Sequence, residues 1–202
     1  MTVILEKFPY RYIEMDNLLE NGHPDYFFFQ AEDGIRGSST SRGLGDVYKR
    51  QVEHVTEMGT RTGVSTRAFL AADVTLRAYD LFLDDYVSQL FELAQKEGKD
   101  AKYIGANVLE TEIDETDLLF IDTWHCYDQL FAELTKHAPK VKKYIAFHDT
   151  QTYGTRSEEF MGRVGSNGLL PAIIHYLIEN PNTWQFKIHR TNNNGLTVIE
   201  RV

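Results

Sequence analysis

The sequence predicts an α/β domain over residues 52–202, built on a mostly parallel sheet with helices on both faces. Three observations carry this. Apolar strand-like runs alternate with amphipathic helical segments, the pattern of parallel strands joined by right-handed crossovers. One run, Asp117-Leu118-Leu119-Phe120-Ile121-Asp122, is almost wholly apolar, as a strand buried on both faces should be. The chain then closes with two strand-like segments around Thr191-Asn192-Asn193-Asn194-Gly195, a hairpin signal that places one antiparallel strand in the sheet.

The elements follow in order. Val55 and its neighbours suit a buried strand that runs into a glycine turn, His54-Val55-Thr56-Glu57-Met58-Gly59-Thr60-Arg61-Thr62-Gly63. Gly59 and Gly63 allow a tight turn, and Ser65 or Thr66 is expected to cap the helix continued by residues 67–72. A second strand spans Val74–Tyr79 and ends at Asp80. The next helix places Tyr86, Leu90, Leu93 and Ala94 on one face and stops near Gly98. Lys102–Gly105 is a third strand, ending near Asn107, and Asp117–Asp122 the fourth. Tyr127, Leu130, Phe131 and Leu134 space as a helix. Lys143–Phe147 is a fifth strand, tipped by His148 and Asp149. A polar connection from Thr150 to Gly168 is long enough for a lid or substrate loop. Pro171 is expected to open a helix carrying Ile173, Ile174, Leu177 and Ile178, before strands at Trp184–His189 and Leu196–Glu200.

Residues 1–51 read differently. Val3-Ile4-Leu5 suits a short strand or helix start, and polar text runs to Asp25. The stretch 27–51 has neither helical nor strand periodicity, and its middle is a Gly/Ser mixture. Its ends, "FFFQAEDGIR" and "DVYKRQ", resemble translated sequencing-adapter read-through. We therefore treat 1–51 as an N-terminal arm in which 27–51 is artefactual or disordered, and 52–202 as the functional domain.

Composition narrows the class. The chain has 202 residues, 42% hydrophobic and 12% aromatic, enough for one globular domain. A net charge of −9 argues against a nucleic-acid or anionic-membrane surface. The single cysteine, Cys126, excludes an internal disulfide framework, and no apolar run is long enough to span a membrane. The N-terminus lacks an export signal's basic start and apolar core, so a cytoplasmic protein is expected. A homo-oligomer is left open.

Ligands of open α/β sheets bind beyond the carboxyl ends of the strands, and the polar residues Glu57, Asp80, Asn107, Asp122, His148 and Asp149 all fall there. A helix start offers unpaired N–H groups and a positive dipole end, whereas Glu57 favours a cationic or hydroxyl-bearing group. Together they suit a nucleoside that carries an amino acid. A dinucleotide fingerprint would need glycine where Arg61 stands, which disfavours a nicotinamide oxidoreductase.

At this point a resemblance carries further. "VTEMGTRTGVST", "DLLFIDTWHCYDQL", "KYIAFHDT", "GLLPAI" and "TNNNGLTVIERV" resemble class I S-adenosylmethionine-dependent methyltransferases. Within that group they look most like cephalosporin hydroxylase-like and rhamnosyl O-methyltransferase proteins. The resemblance implies a Rossmann-like, seven-stranded, mostly parallel sheet with an antiparallel C-terminal strand. It implies that S-adenosylmethionine binds at Glu57, Gly59, Thr60, Gly63, Ser65, Thr66, Asp80, Asn107 and Asp122, with Asp80 on the ribose and Asn107 facing the adenine. Asp122 and Asp149 resemble the divalent-metal ligands of catechol-type O-methyltransferases, and magnesium suits such hard oxygens. His125 or His148 would be the general base, and Cys126 a packing residue. The expected activity is O-methylation of a small hydroxylated acceptor, a sugar or a natural product. The alternative is a non-catalytic or truncated cofactor-binding domain.

Overall fold

A computed structural model of the chain describes residues 52–202, except Asp73. The arm and the adapter-like segment lie outside the described residues.

Burial decides the strands. β1 (His54–Met58), β2 (Thr75–Asp80) and β3 (Ala101–Gly105) are followed by β4 (Thr116–Ile121), in which every residue is buried. A half-polar strand would leave unpaired groups there, so the apolar run and its central position have one cause. β5 (Val141–His148) follows, and β8 (Trp184–Arg190) and β9 (Leu196–Arg201) close the sheet. The order is β3-β2-β1-β4-β5-β9-β8, with β9 antiparallel to both neighbours and the five preceding strands parallel. The Asn-rich turn makes this closure possible, since Asn193, Asn194 and Gly195 all have positive φ.

Helices cover both faces because side chains alternate along each strand. Leu119 and Ile121 of β4 join a core with Leu130 and Leu134 of α3 (Tyr127–His137) and Ile173 of α4 (Leu169–Glu179). Phe120 points the other way and meets Phe69 of α1 (Val64–Ala71) edge to face, at 5.4 Å between centroids. Each such fully buried side chain contributes about 1.5–3 kcal/mol through burial.

Four expectations are corrected in detail. Neither Ser65 nor Thr66 caps α1, which starts after Gly63 with no side-chain cap; both hydroxyls go to Glu57 instead. On α2 (Asp85–Lys96) the buried face is Val87, Leu90, Phe91 and Ala94, so Tyr86 and Leu93 only flank it. Pro171 is the third residue of α4, not the first; the first turn tolerates it because those N–H groups lack intrahelical partners. Ile174 and Ile178 of the same helix face solvent. The loop 150–168 also contains a short hairpin, β6 (Glu159–Phe160) and β7 (Arg163–Val164), which its mixed sequence does not announce.

Candidate functional site

The sheet order reverses between β1 and β4, and the site forms beyond their carboxyl ends. The two tips are pressed together. Asp122 N–H donates to the Met58 carbonyl at 2.8 Å, and a Cβ on Gly59 would lie 2.0 Å from the Asp122 carbonyl oxygen. Gly59 is thus required by the approach of two strands, as well as by its φ of +88°. Gly63, also left-handed, leaves room for Val87 and Leu90 of α2.

On the β1 side the carboxylates are filled by their own chain. Glu57 has no exposed surface; its two oxygens accept from Ser65 Oγ at 2.5 Å and Thr66 Oγ1 at 2.8 Å. Burial pushes its carboxyl up to about 8, outweighing both hydrogen bonds, because desolvation penalises the charged form. Asp80 Oδ2 accepts from Thr60 N at 2.8 Å, Arg61 N at 2.9 Å and Thr60 Oγ1 at 3.2 Å, while Oδ1 accepts from Phe82 N at 3.2 Å. Asp80 and Thr60 therefore brace the glycine turn. Asn107 stands apart at the tip of edge strand β3, where its oxygen accepts from Leu109 N and its amide donates to Glu110.

On the β4–β5 side the structure gathers Asp122, His125, His148 and Asp149, and adds Glu158. His125 Nε2 lies 3.0 Å from Asp122 Oδ1 and 3.3 Å from Asp149 Oδ2, and its Nδ1 lies 2.8 Å from Glu158 Oε2. His148 Nδ1 is 3.4 Å from Asp122 Oδ2 and 3.3 Å from Asp149 Oδ1. His125 also stacks flat on Tyr153, at 4.9 Å between centroids. Burial alone would raise the Asp122 carboxyl, but the hydrogen bond with His125 and the nearby His148 imidazole hold it well below the usual range. Burial likewise disfavours charged His125 and His148, yet Asp122 foremost and Asp149 beside it raise both above the ordinary imidazole value. Asp149 is raised by burial, in part offset by the two histidines.

Sequence reasoning missed Glu158. It lies 33 residues from His125, in a loop without periodicity. Two hydrogen bonds to its backbone dock it on the turn after β4: Glu158 N–H to the His125 carbonyl at 2.9 Å, and Trp124 Nε1 to the Glu158 carbonyl at 3.1 Å. The Asn-rich turn supports the same region, since the Asn194 carbonyl accepts from Gln151 N at 2.8 Å and Thr152 N at 3.0 Å.

The donor set fits a divalent ion. Asp122, His148 and Asp149 each offer a ligand atom within 4.8 Å of the others. His148 Nδ1 and Asp149 Oδ1 face each other at 3.3 Å, but both are buried and neither makes a hydrogen bond of good geometry, which native structures rarely tolerate unless something else satisfies them. Two carboxylates suit magnesium, and the imidazole extends the choice to manganese or iron. Cys126 is fully buried beneath this turn, consistent with packing. A larger groove of about 370 Å³, lined by Leu170, Ile174, Phe186 and Ile188, lies between α4 and β8 and carries none of these acids.

Similarity to solved structures decides the fold. A Staphylococcus aureus protein assigned as a caffeoyl-CoA O-methyltransferase superposes with a TM-score of 0.57 at 15% identity, over 94% of this chain and 98% of its own. The 1,6-didemethyltoxoflavin-N1-methyltransferase of Burkholderia thailandensis, with S-adenosylhomocysteine bound, gives 0.55 at 14% identity, covering 94% and 89%. The fold is that of class I methyltransferases. The magnesium protoporphyrin IX methyltransferase of Synechocystis, also bound to S-adenosylhomocysteine, gives 0.52 at 13% identity, over 79% of this chain and 77% of its own. No protein-family model and no curated protein matches the sequence. Among the described residues, no helix is long and apolar enough to cross a membrane.

Proposed function

We propose that this chain is an S-adenosylmethionine-dependent O-methyltransferase acting on a small hydroxylated acceptor, a sugar or a natural product, with a divalent ion at Asp122, His148 and Asp149. The observation that carries the reading is the pair of buried atoms without a hydrogen bond, His148 Nδ1 and Asp149 Oδ1, at the tip of β5 facing Asp122 in a methyltransferase fold. The finer likeness to the rhamnosyl O-methyltransferase group, through "DLLFIDTWHCYDQL" and "KYIAFHDT", belongs to this proposal.

The residues divide the work. Glu57, Gly59, Thr60, Gly63, Ser65, Thr66 and Asp80 form the cofactor side, with Glu57 facing the methionine ammonium. Each Glu57 oxygen spends one hydrogen bond on a hydroxyl and keeps acceptor capacity for that ammonium. A bound divalent ion would supply Lewis-acid chemistry that lowers the acceptor hydroxyl's pKa. The acceptor oxygen attacks the sulfonium methyl, the oxygen–carbon bond forms as the sulfur–carbon bond breaks, and S-adenosylhomocysteine leaves. His125 Nε2 receives the hydroxyl proton, while Glu158 holds Nδ1 and fixes the ring. His148, which forms the metal-capable group with Asp122 and Asp149, is assigned as ligand and not as base.

Calorimetric titration of the full chain with S-adenosylhomocysteine, with and without magnesium or manganese, tests this reading. Micromolar binding is expected; no binding below millimolar would sink it. The direct contacts that both histidines make with Asp122 and Asp149 favour a second reading, a binding domain without turnover. It predicts cofactor binding but no methyl transfer to any hydroxylated acceptor, even with metal added.

A further inference from the structure

Glu133 lies in the middle of α3 with no exposed surface, where an acid is ordinarily found facing water. Its Oε1 accepts from Thr123 Oγ1 at 2.7 Å and from Gln129 Nε2 at 2.7 Å; its Oε2 has no partner. Burial pushes the carboxyl up to about 7, against those two hydrogen bonds. A leucine at this position would avoid the desolvation cost altogether. The acid therefore costs stability, and its position shows what it holds.

Thr123 is the residue directly after Asp122 and two before His125. The near side of this turn is fixed by β1, through Asp122 N–H on the Met58 carbonyl and the Gly59 approach. The docked Glu158 fixes the outer side, through the His125 carbonyl. Toward α3, the Thr123 hydroxyl on Glu133 ties the turn down. Free rotation of Thr123 would let the segment between Asp122 and His125 shift, and with it the 3.0 Å spacing of carboxylate and imidazole.

We propose that Glu133 is a positioning residue, acting through the Thr123 hydroxyl, that sets the geometry of Asp122 and His125. This rests on the reading of that cluster as the methyl-transfer site. The test uses the full chain with Thr123→Val, Glu133→Gln, Glu133→Ala and the Thr123→Val/Glu133→Ala double variant. Three quantities are read: manganese affinity, S-adenosylhomocysteine affinity, and the imidazole resonances of His125 by NMR.

Thr123→Val, which keeps the side chain's shape, is expected to move the His125 ring resonances and weaken manganese binding about tenfold, as loss of an outer partner does at metal sites. S-adenosylhomocysteine affinity stays within about twofold. The double variant is no worse than Glu133→Ala, because both changes remove one link. Glu133→Gln retains a carbonyl oxygen for Thr123 and stays close to the parent. Unmoved His125 resonances in Thr123→Val overturn the proposal, and so do additive losses in the double variant. If the parent binds neither manganese nor S-adenosylhomocysteine, the methyltransferase reading falls, while the His125 resonances still decide the role of Glu133.

Discussion

The glycine turn after β1 and the cluster at the tips of β4 and β5 are both built from acids at strand ends, but they are finished differently. At the turn, Asp80 Oδ2 takes three donors from residues 60 and 61, and Glu57 takes two hydroxyls from α1. The chain itself completes that half. At the cluster, Asp149 Oδ1 and His148 Nδ1 lie near each other without a hydrogen bond, and two histidines stand among three carboxylates. A self-satisfied loop holds a shape, whereas an incompletely satisfied cluster is suited to hold a ligand.

The sharpest way to break this contrast is Asp122→Ala. Methyl transfer should fall by at least about 1,000-fold, the several kcal/mol expected of metal and acceptor positioning at 1.36 kcal/mol per tenfold. S-adenosylhomocysteine affinity should stay within a few-fold. Surviving activity in a rate assay means that the cluster is not the reaction centre.

A smaller effect is expected at His125. His125→Gln should lower kcat by about 100-fold or more, the scale of a lost general base. In the parent, rates should climb as pH rises above the ordinary imidazole value, because the neighbouring carboxylates raise His125 and keep it protonated. Glu158→Gln should shift that rise to lower pH. A pH–rate profile identical in parent and Glu158→Gln would remove Glu158 from the mechanism.

The gentlest test is at Glu57. Its carboxyl is raised from 4.5 to about 8, so its contribution to stability is complete below about 4.5 and is lost as pH climbs through about 8. Glu57→Gln should therefore gain stability over the parent between these limits, read as a growing difference in Tm. The same variant should bind S-adenosylhomocysteine about tenfold more weakly, the loss of one charge-assisted hydrogen bond. Equal Tm differences at pH 5 and pH 8 would contradict the buried-acid assignment.

Much of the fold was readable because burial on two faces leaves a compositional trace. β4 is apolar from Leu118 to Ile121, and the Asn193-Asn194-Gly195 turn carries the backbone that its hairpin demands. The placement of the proposed site residues at strand ends was readable for a related reason, since the sheet delivers them to one edge. What stayed hidden depends on contacts between distant segments. Glu158 reaches His125 from a loop with no pattern, and Glu133 looks like an ordinary acid on an amphipathic helix. Ser65 and Thr66 resemble caps because the same hydroxyls suit either use; only the face shared by Glu57 and α1 selects the second.

One peptide unit in the cluster has a further consequence. Asp149 sits at φ 59°, a left-handed backbone that costs a side-chain-bearing residue on the order of 1 kcal/mol. Asp149→Gly relieves that strain but gives the unfolded chain more freedom, so Tm should stay within a few degrees of the parent while a carboxylate leaves the proposed binding set. Selecting variants of this chain for thermal resistance alone would therefore not hold this carboxylate in place. A library sorted on heat tolerance needs a ligand-binding gate at this residue, or molecules that lack the proposed metal ligand will pass.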